Sequence, residues 1–212
     1  MHKFLFGSFL GIVTLTGFAV THSYFSDQAA STSNTFTAAA EFPTQIPTSA
    51  PTSIPTPTLH LVINEVFEAS TNDNEWVEIF NPTSSDVNLN GWTVSDALSS
   101  DPLPTGFLLP AGGYGVIVTN NTIVTPPGSS ITLQLNNATI GDGLTGTGDL
   151  VSISDGSSNV DEVSYGDNTS IFTLPEPNPT QSLSRIPNGQ DTDSASDWQL
   201  DDSPTLGTAN SL

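Results

Sequence analysis

The chain has 212 residues, enough for one ordinary domain with tails. Its formal net charge is −20, from 2 Lys+Arg against 22 Asp+Glu. With Lys3 and Arg185 as its only cations it has little to hold a phosphate backbone, which argues against nucleic-acid partners and against anionic membrane surfaces. It contains no cysteine, so disulfides, thiol nucleophiles and thiolate metal sites are excluded.

The same charge is expected to keep the protein soluble and the domain monomeric. Apolar residues make up only 35 %, while Gly (17) and Pro (16) are frequent and Ser, Thr, Asn and Asp abundant. That is turn chemistry, and it points to a β fold rather than a helical bundle.

The amino terminus has the order of an export signal. Met1-His2-Lys3 is short and basic, Phe4 to Val20 is apolar and softened by glycines, and Thr21-His22-Ser23 supplies small residues for cleavage before Tyr24. The alternative is an uncleaved membrane anchor, but the run falls short of the ~20 residues a span needs. Both readings place the remainder outside the cytoplasm, secreted or at the cell surface. The next residues, Tyr24-Phe25-Ser26-Asp27 and Ser31-Thr32-Ser33-Asn34-Thr35-Phe36-Thr37-Ala38, resemble the start of mature proteins of the camelysin/TasA type. Members of that group leave the cell through a dedicated signal peptidase and some build surface fibres. The resemblance covers residues 18–40 and implies a shared export signal rather than a shared fold. Residues 24–40 read as a leader, either disordered or an extended strand able to add to a neighbour's sheet edge.

From Glu41 to Thr58 a Pro-Thr pair recurs at nearly every fourth residue. Proline fixes φ and removes amide donors, so neither helix nor sheet forms there. An extended stalk of this length holds the downstream domain on the order of 50 Å from the leader. Such a segment is a plain linker or an O-glycosylated stalk, and it marks a domain boundary.

From Leu59 onward the sequence breaks into short β-like runs separated by turn signals. The predicted strands are 59–67, 75–80, 87–95 (with Gly91 as a bulge or close approach), 114–118, 131–135, 150–153, 160–165 and 182–186. Asp155-Gly156 reads as a hairpin turn. Apolar residues fall on both sides of Trp76–Phe80, which predicts a central strand covered on both faces. About eight short strands with regular turns predict an all-β sandwich, and a domain over residues 59–212 is large enough to bury a core without disulfides.

This segment resembles the lamin-tail domain in its bacterial, secreted form. The matching residues run from Ile63-Asn64-Glu65-Val66 through Asn74 to Asn81, Val87 to Trp92, Leu109 to Tyr114, Gly148 to Ile153, Asp161 to Tyr165 and Ser182 to Arg185. They close with Asp197-Trp198 and Pro204 to Asn210. The resemblance implies an immunoglobulin-like sandwich and a module without catalysis. Bacterial members often stand beside hydrolases, and nuclear members contact chromatin. The scarcity of Lys and Arg keeps the chromatin role from carrying over.

Candidate sites are few. Glu65, Glu75, Glu78 and Asp96 stand close in sequence, as paired carboxylates do in glycosidases, but the alternative is that they hydrogen-bond turns or pair with Arg185. His60 opens the first strand with no second histidine nearby, so a histidine metal pair or a Ser-His-Asp set lacks parts. Asp191, Asp193 and Asp197 form a loop of closely spaced oxygen ligands and are the candidate calcium site, although the spacing departs from the EF-hand pattern. The alternative is a solvated, Asx-rich turn, with no cofactor at all. Arg185, in a field of carboxylates, is expected to be paired in a bidentate way. Asn120, Asn137 and Asn168 head N-glycosylation triplets, which arise readily by chance in a chain this rich in Asn and Thr.

The leading expectation is a non-catalytic module displayed at the cell surface, with a protein or carbohydrate partner. Two alternatives stand beside it. One is a fibre or matrix subunit that donates Tyr24–Ala38 as a strand. The other is an accessory domain of an extracellular hydrolase system.

Overall fold

The computed structural model describes residues 59–68, 74–122 and 124–211. The export segment, the leader and the Pro/Thr-rich linker, residues 1–58, lie outside the described residues. Among those described, no helix is long and apolar enough to cross a membrane.

The chain forms a β-sandwich. Its strands are β1 (Val62–Phe67), β2 (Trp76–Phe80), β3 (Val87–Asn88), β4 (Thr93–Ser95), β5 (Ser100–Pro102), β6 (Leu108–Leu109), β7 (Tyr114–Val118), β8 (Ile131–Gln134), β9 (Leu150–Ser154), β10 (Asn159–Ser164), β11 (Ser182–Arg185) and β12 (Trp198–Asp201). A short 3-10 turn, Ala195–Asp197, leads into β12. One sheet has six strands in the order β12-β11-β1-β2-β7-β8, a second has four in the order β10-β9-β4-β5, and β3 and β6 form a small ribbon. All pairs are antiparallel except β7 with β8.

The core lies between the two main sheets. Ile63, Val77, Ile79, Ile117, Leu133 and Leu183 come from the large sheet, and Val94, Val151, Ile153 and Val163 from the smaller one. Leu89, Trp92 and Leu109 close the side where the ribbon sits. Each aliphatic side chain buried here contributes roughly 1.5–3 kcal/mol, which is how a chain without disulfides can hold together.

β2 is buried along Trp76–Ile79, as its pattern on both faces predicts. Val77 and Ile79 point into the core. Trp76 packs on the opposite face with Val116 and Val118, stacked on Phe67 at 5.4 Å between ring centroids.

The predicted run 87–95 is two strands rather than one. Trp92 donates its amide to the Leu89 carbonyl, and Gly91 sits at φ 83, so the chain turns between β3 and β4. β5 and β6, of three and two residues, and β12, which no predicted strand covers, bring the count among the described residues to twelve against the eight expected.

Candidate functional site

Arg185 ties the two sheets together. It sits on β11 and is 1 % exposed. Its Nη2 donates to both oxygens of Asp161 on β10, at 2.9 and 2.8 Å. Its Nε donates to the Ile63 carbonyl at 2.6 Å, and its Nη1 donates to Asp191 and to the Gln190 carbonyl, each at 3.0 Å. The guanidinium carbon lies 4.5 Å from the ring centroid of Trp198, its partner across β12. Asp161 in turn accepts the Ile63 amide at 2.7 Å, so one carboxylate serves strands of both sheets. Burial pushes Asp161 up to about 6 even with Arg185 beside it drawing it down. Arg185 is therefore paired as expected, with Asp161 as its principal partner, but through one nitrogen shared between both carboxylate oxygens and not through the two-nitrogen fork of a bidentate pair.

Two of the three calcium candidates, Asp191 and Asp197, lie against this guanidinium, and the third, Asp193, does not. Asp191 binds Arg185 through Oδ1 and meets His60 Nε2 through Oδ2 at 3.1 Å. Asp197 lies 3.7 Å from Arg185 and accepts hydrogen bonds from Gln190 and from the amide and hydroxyl of Thr192. Burial alone would push the Asp197 carboxyl up, but those donors and Arg185 hold it below its ordinary value. Asp193 is exposed, and its backbone sits at φ 52, where its amide faces Asp191. Among the described residues no group of three or more His, Cys, Asp or Glu side chains is placed to hold a metal ion. The loop has the geometry of an Asx-rich turn wrapped around a guanidinium. Beside it runs a groove of about 570 Å³ lined by Leu59, His60, Val62, Pro82 and residues 189–193.

Glu65 and Glu78 define a second polar region, on the outer face of the six-stranded sheet. They stand opposite each other on β1 and β2 and are fully buried. A bulge between Ile63 and Glu65 lets Asn64 join them, donating to Glu78 at 2.7 Å. Glu65 accepts from Ser182 at 2.5 Å and from Ser184 at 3.1 Å. The C-terminal segment closes over both acids. The Thr205 amide donates to Glu65 at 3.1 Å, and the Gly207 amide donates to Glu78 at 2.5 Å. Asn210 donates through Nδ2 to the Asn64 and Arg185 carbonyls and through its amide to Asn188. Asn188 also donates to the Tyr114 hydroxyl at 3.0 Å. Gly189, at φ 67, is held against the ring of Phe80, where an added Cβ would lie 2.5 Å from Cδ1. Burial pushes Glu65 upward and Glu78 up to about 8, the latter opposed by the bond from Asn64 and helped by the charge of Glu65.

A third set of acids secures the loop between β8 and β9. Glu75 accepts the amides of Ile140 and Leu144. Asp96 accepts those of Leu98, Ser99, Asp142 and Gly143, Asp101 that of Gly141, and Asp149 those of Ala97 and Thr145. Burial acts to raise Asp96, but the amides of Leu98 and Ser99 outweigh it and the group is lowered. Of the two alternatives for the early acids, hydrogen bonding to backbone turns is the one realised, and Arg185 is left to aspartates. The backbone amide is the counter-charge this chain uses in place of Lys and Arg.

These features make an immunoglobulin-like sandwich in which Glu65, Glu75, Glu78, Asp96 and Asp161 accept hydrogen bonds from the chain itself. A model of the Lamin Tail Domain family matches residues 55–167. The chain belongs to the lamin tail domain family. The resemblance read from the sequence runs on to Asn210, whereas the family match ends just past β10, so Arg185, β11, β12 and the C-terminal segment of this lamin tail domain lie beyond it. No curated protein matches the chain. The family is generally non-enzymatic and suggests a structural or binding module, and no catalytic family is indicated.

The resemblance read from the sequence includes Asp161 and Pro204 to Asn210 but assigns neither a contact, and it foretells neither the pairing of Asp161 with Arg185 nor the closing of the C-terminal segment over Glu65 and Glu78.

Proposed function

We propose that this lamin tail domain is an exported, non-catalytic binding or structural module of the bacterial secreted type. It is displayed on the Pro/Thr-rich stalk 41–58 as a domain spanning 59–212, and its partner is a protein or a carbohydrate at a cell surface. One observation carries the non-catalytic part. Glu65, Glu75, Glu78 and Asp96, the residues able to run acid–base chemistry, are committed to the chain's own amides and hydroxyls. A general acid needs an aimed, available proton, and these carboxyls are occupied by structure. Export is supported by the basic–apolar–small order of residues 1–23 and by the similarity of residues 18–40 to camelysin/TasA-type proteins. The net charge of −20 favours a polar, uncharged partner over nucleic acid. If the amino-terminal segment stays uncleaved, it is the membrane attachment.

The test is localisation of the tagged full chain in its host, followed by binding to intact cells. The expected result is a protein in the medium or open to added protease at the cell surface, beginning at Tyr24 if cleaved, and binding saturably to washed cells. Retention in the cytoplasm would overturn the reading.

A further inference from the structure

Glu65 and Glu78 are buried side by side, and the groups around them bring no positive charge. Arg185 follows Ser184 on β11 but turns its guanidinium to Asp161 and Asp191. From β7 comes Tyr114, and from β11 Ser182 and Ser184. The end of β12 adds another acid, Asp201, whose register partner is Ser182; exposed Asp202 follows it, and residues 203–211 themselves carry no charged side chain. What reaches the two carboxylates from the C-terminal segment are the amides of Thr205, Gly207 and Thr208 and the Thr205 hydroxyl.

We propose that this carboxylate pair is a pH-operated clasp, which holds the C-terminal segment 203–211 docked while the pair retains a proton and releases it when both groups ionise. Two adjacent buried anions held only by neutral amides and hydroxyls repel each other and lack hydration; those donors favour the ionised form but are outweighed by burial, and lifting the segment is the shortest route for water to reach them. The upward push on both groups has the same origin, burial first. The docked form thus binds a proton that the released form gives up, so docking weakens as pH rises from about 4.5 through about 8. Release would uncover the apolar strip of Phe67, Trp76, Val116 and Val118, which Leu206 now covers.

The test is NMR hydrogen exchange on the full chain at pH 6 and pH 9, read as protection factors, together with a titration of the Glu78 side-chain carboxyl carbon. In the wild type and in the exposed control Glu176→Gln, the Thr205, Gly207 and Asn210 amides are expected to lose at least about tenfold in protection. Amides of β2 and β7 should hold, and the carboxyl shift should move over the same pH range. In Glu78→Gln the loss should vanish, and Glu65→Gln serves if that variant does not fold. Flat protection in the wild type, an equal loss in the variant, loss at all amides together, or a Glu78 carboxyl already ionised at pH 6 would each overturn the clasp. If neither variant folds, the wild-type amides and the carboxyl titration decide alone.

Discussion

Arg185 and Asp161 meet across the sandwich, the guanidinium on β11 of the six-stranded sheet giving one nitrogen to both oxygens of a carboxylate on β10 of the four-stranded sheet. A pair placed there does more than neutralise charge. Through Ile63, Gln190, Asp191 and Trp198 it fixes how the sheets and the loop before β12 sit on one another.

Removing the cation leaves Asp161 buried and unpaired. Arg185→Ala is expected to cost about 3–5 kcal/mol, the range seen when one partner of a buried pair is deleted. For a domain of this size that lowers the melting temperature by on the order of 10 °C. Arg185→Lys should recover little, since an ammonium cannot serve Asp161, Ile63 and Asp191 together. Thermal melts followed by circular dichroism check both.

The acids over the β8–β9 loop predict a local effect. Glu75→Ala removes the acceptor for the Ile140 and Leu144 amides and should cost about 1–3 kcal/mol. Glu75→Gln is expected to lose much of the same, because its amide group turns a donor toward a donor. Urea melts give the size of the loss, and faster proteolysis within residues 137–147 would locate it.

Global stability should decline toward alkaline pH. Glu78 is raised to about 8 in the folded chain against 4.5 as its ordinary value, so the folded state binds more protons than the unfolded one between these limits. Stability therefore falls as pH climbs through that window. Glu78→Gln should flatten the fall in urea melts taken from pH 5 to pH 9, while Glu176→Gln should leave it.

Calcium is expected to have little effect. Asp191 and Asp197 already serve Arg185, Gln190 and Thr192, and Asp193 stands apart in the solvent. Melting temperatures in excess calcium and in chelator should agree within error. A rise of several degrees with calcium would show that the loop rearranges to bind it.

The longer strands of both sheets were legible. Tyr114–Val118 in the six-stranded sheet and Leu150–Ser154 in the four-stranded one alternate or run apolar between clear turns, and Arg185 had to find carboxylates because it had so little competition. The shorter strands were not legible. Ser100–Pro102 ends in proline and Leu108–Leu109 is two residues long, so neither has a period to read. The outer face was misleading for a different reason. Glu65 and Glu78 occupy the alternate positions that ordinarily meet water, and the segment that buries them arrives 129 to 140 residues later in the chain. Local pattern cannot register a cover supplied from so far away. Asp191 and its neighbours looked like a metal loop because aspartate spacing alone does not say whether a guanidinium already stands at the centre.

β1 lies inside the six-stranded sheet, with β11 on one side and β2 on the other. A tether pulling at Leu59 would load both ladders at once, in shear along their length, before any strand could be peeled from an edge. Resistance to such a pull is governed by the rate of unfolding. On the proposed stalk, tension would enter the domain through this interior strand and not through an edge.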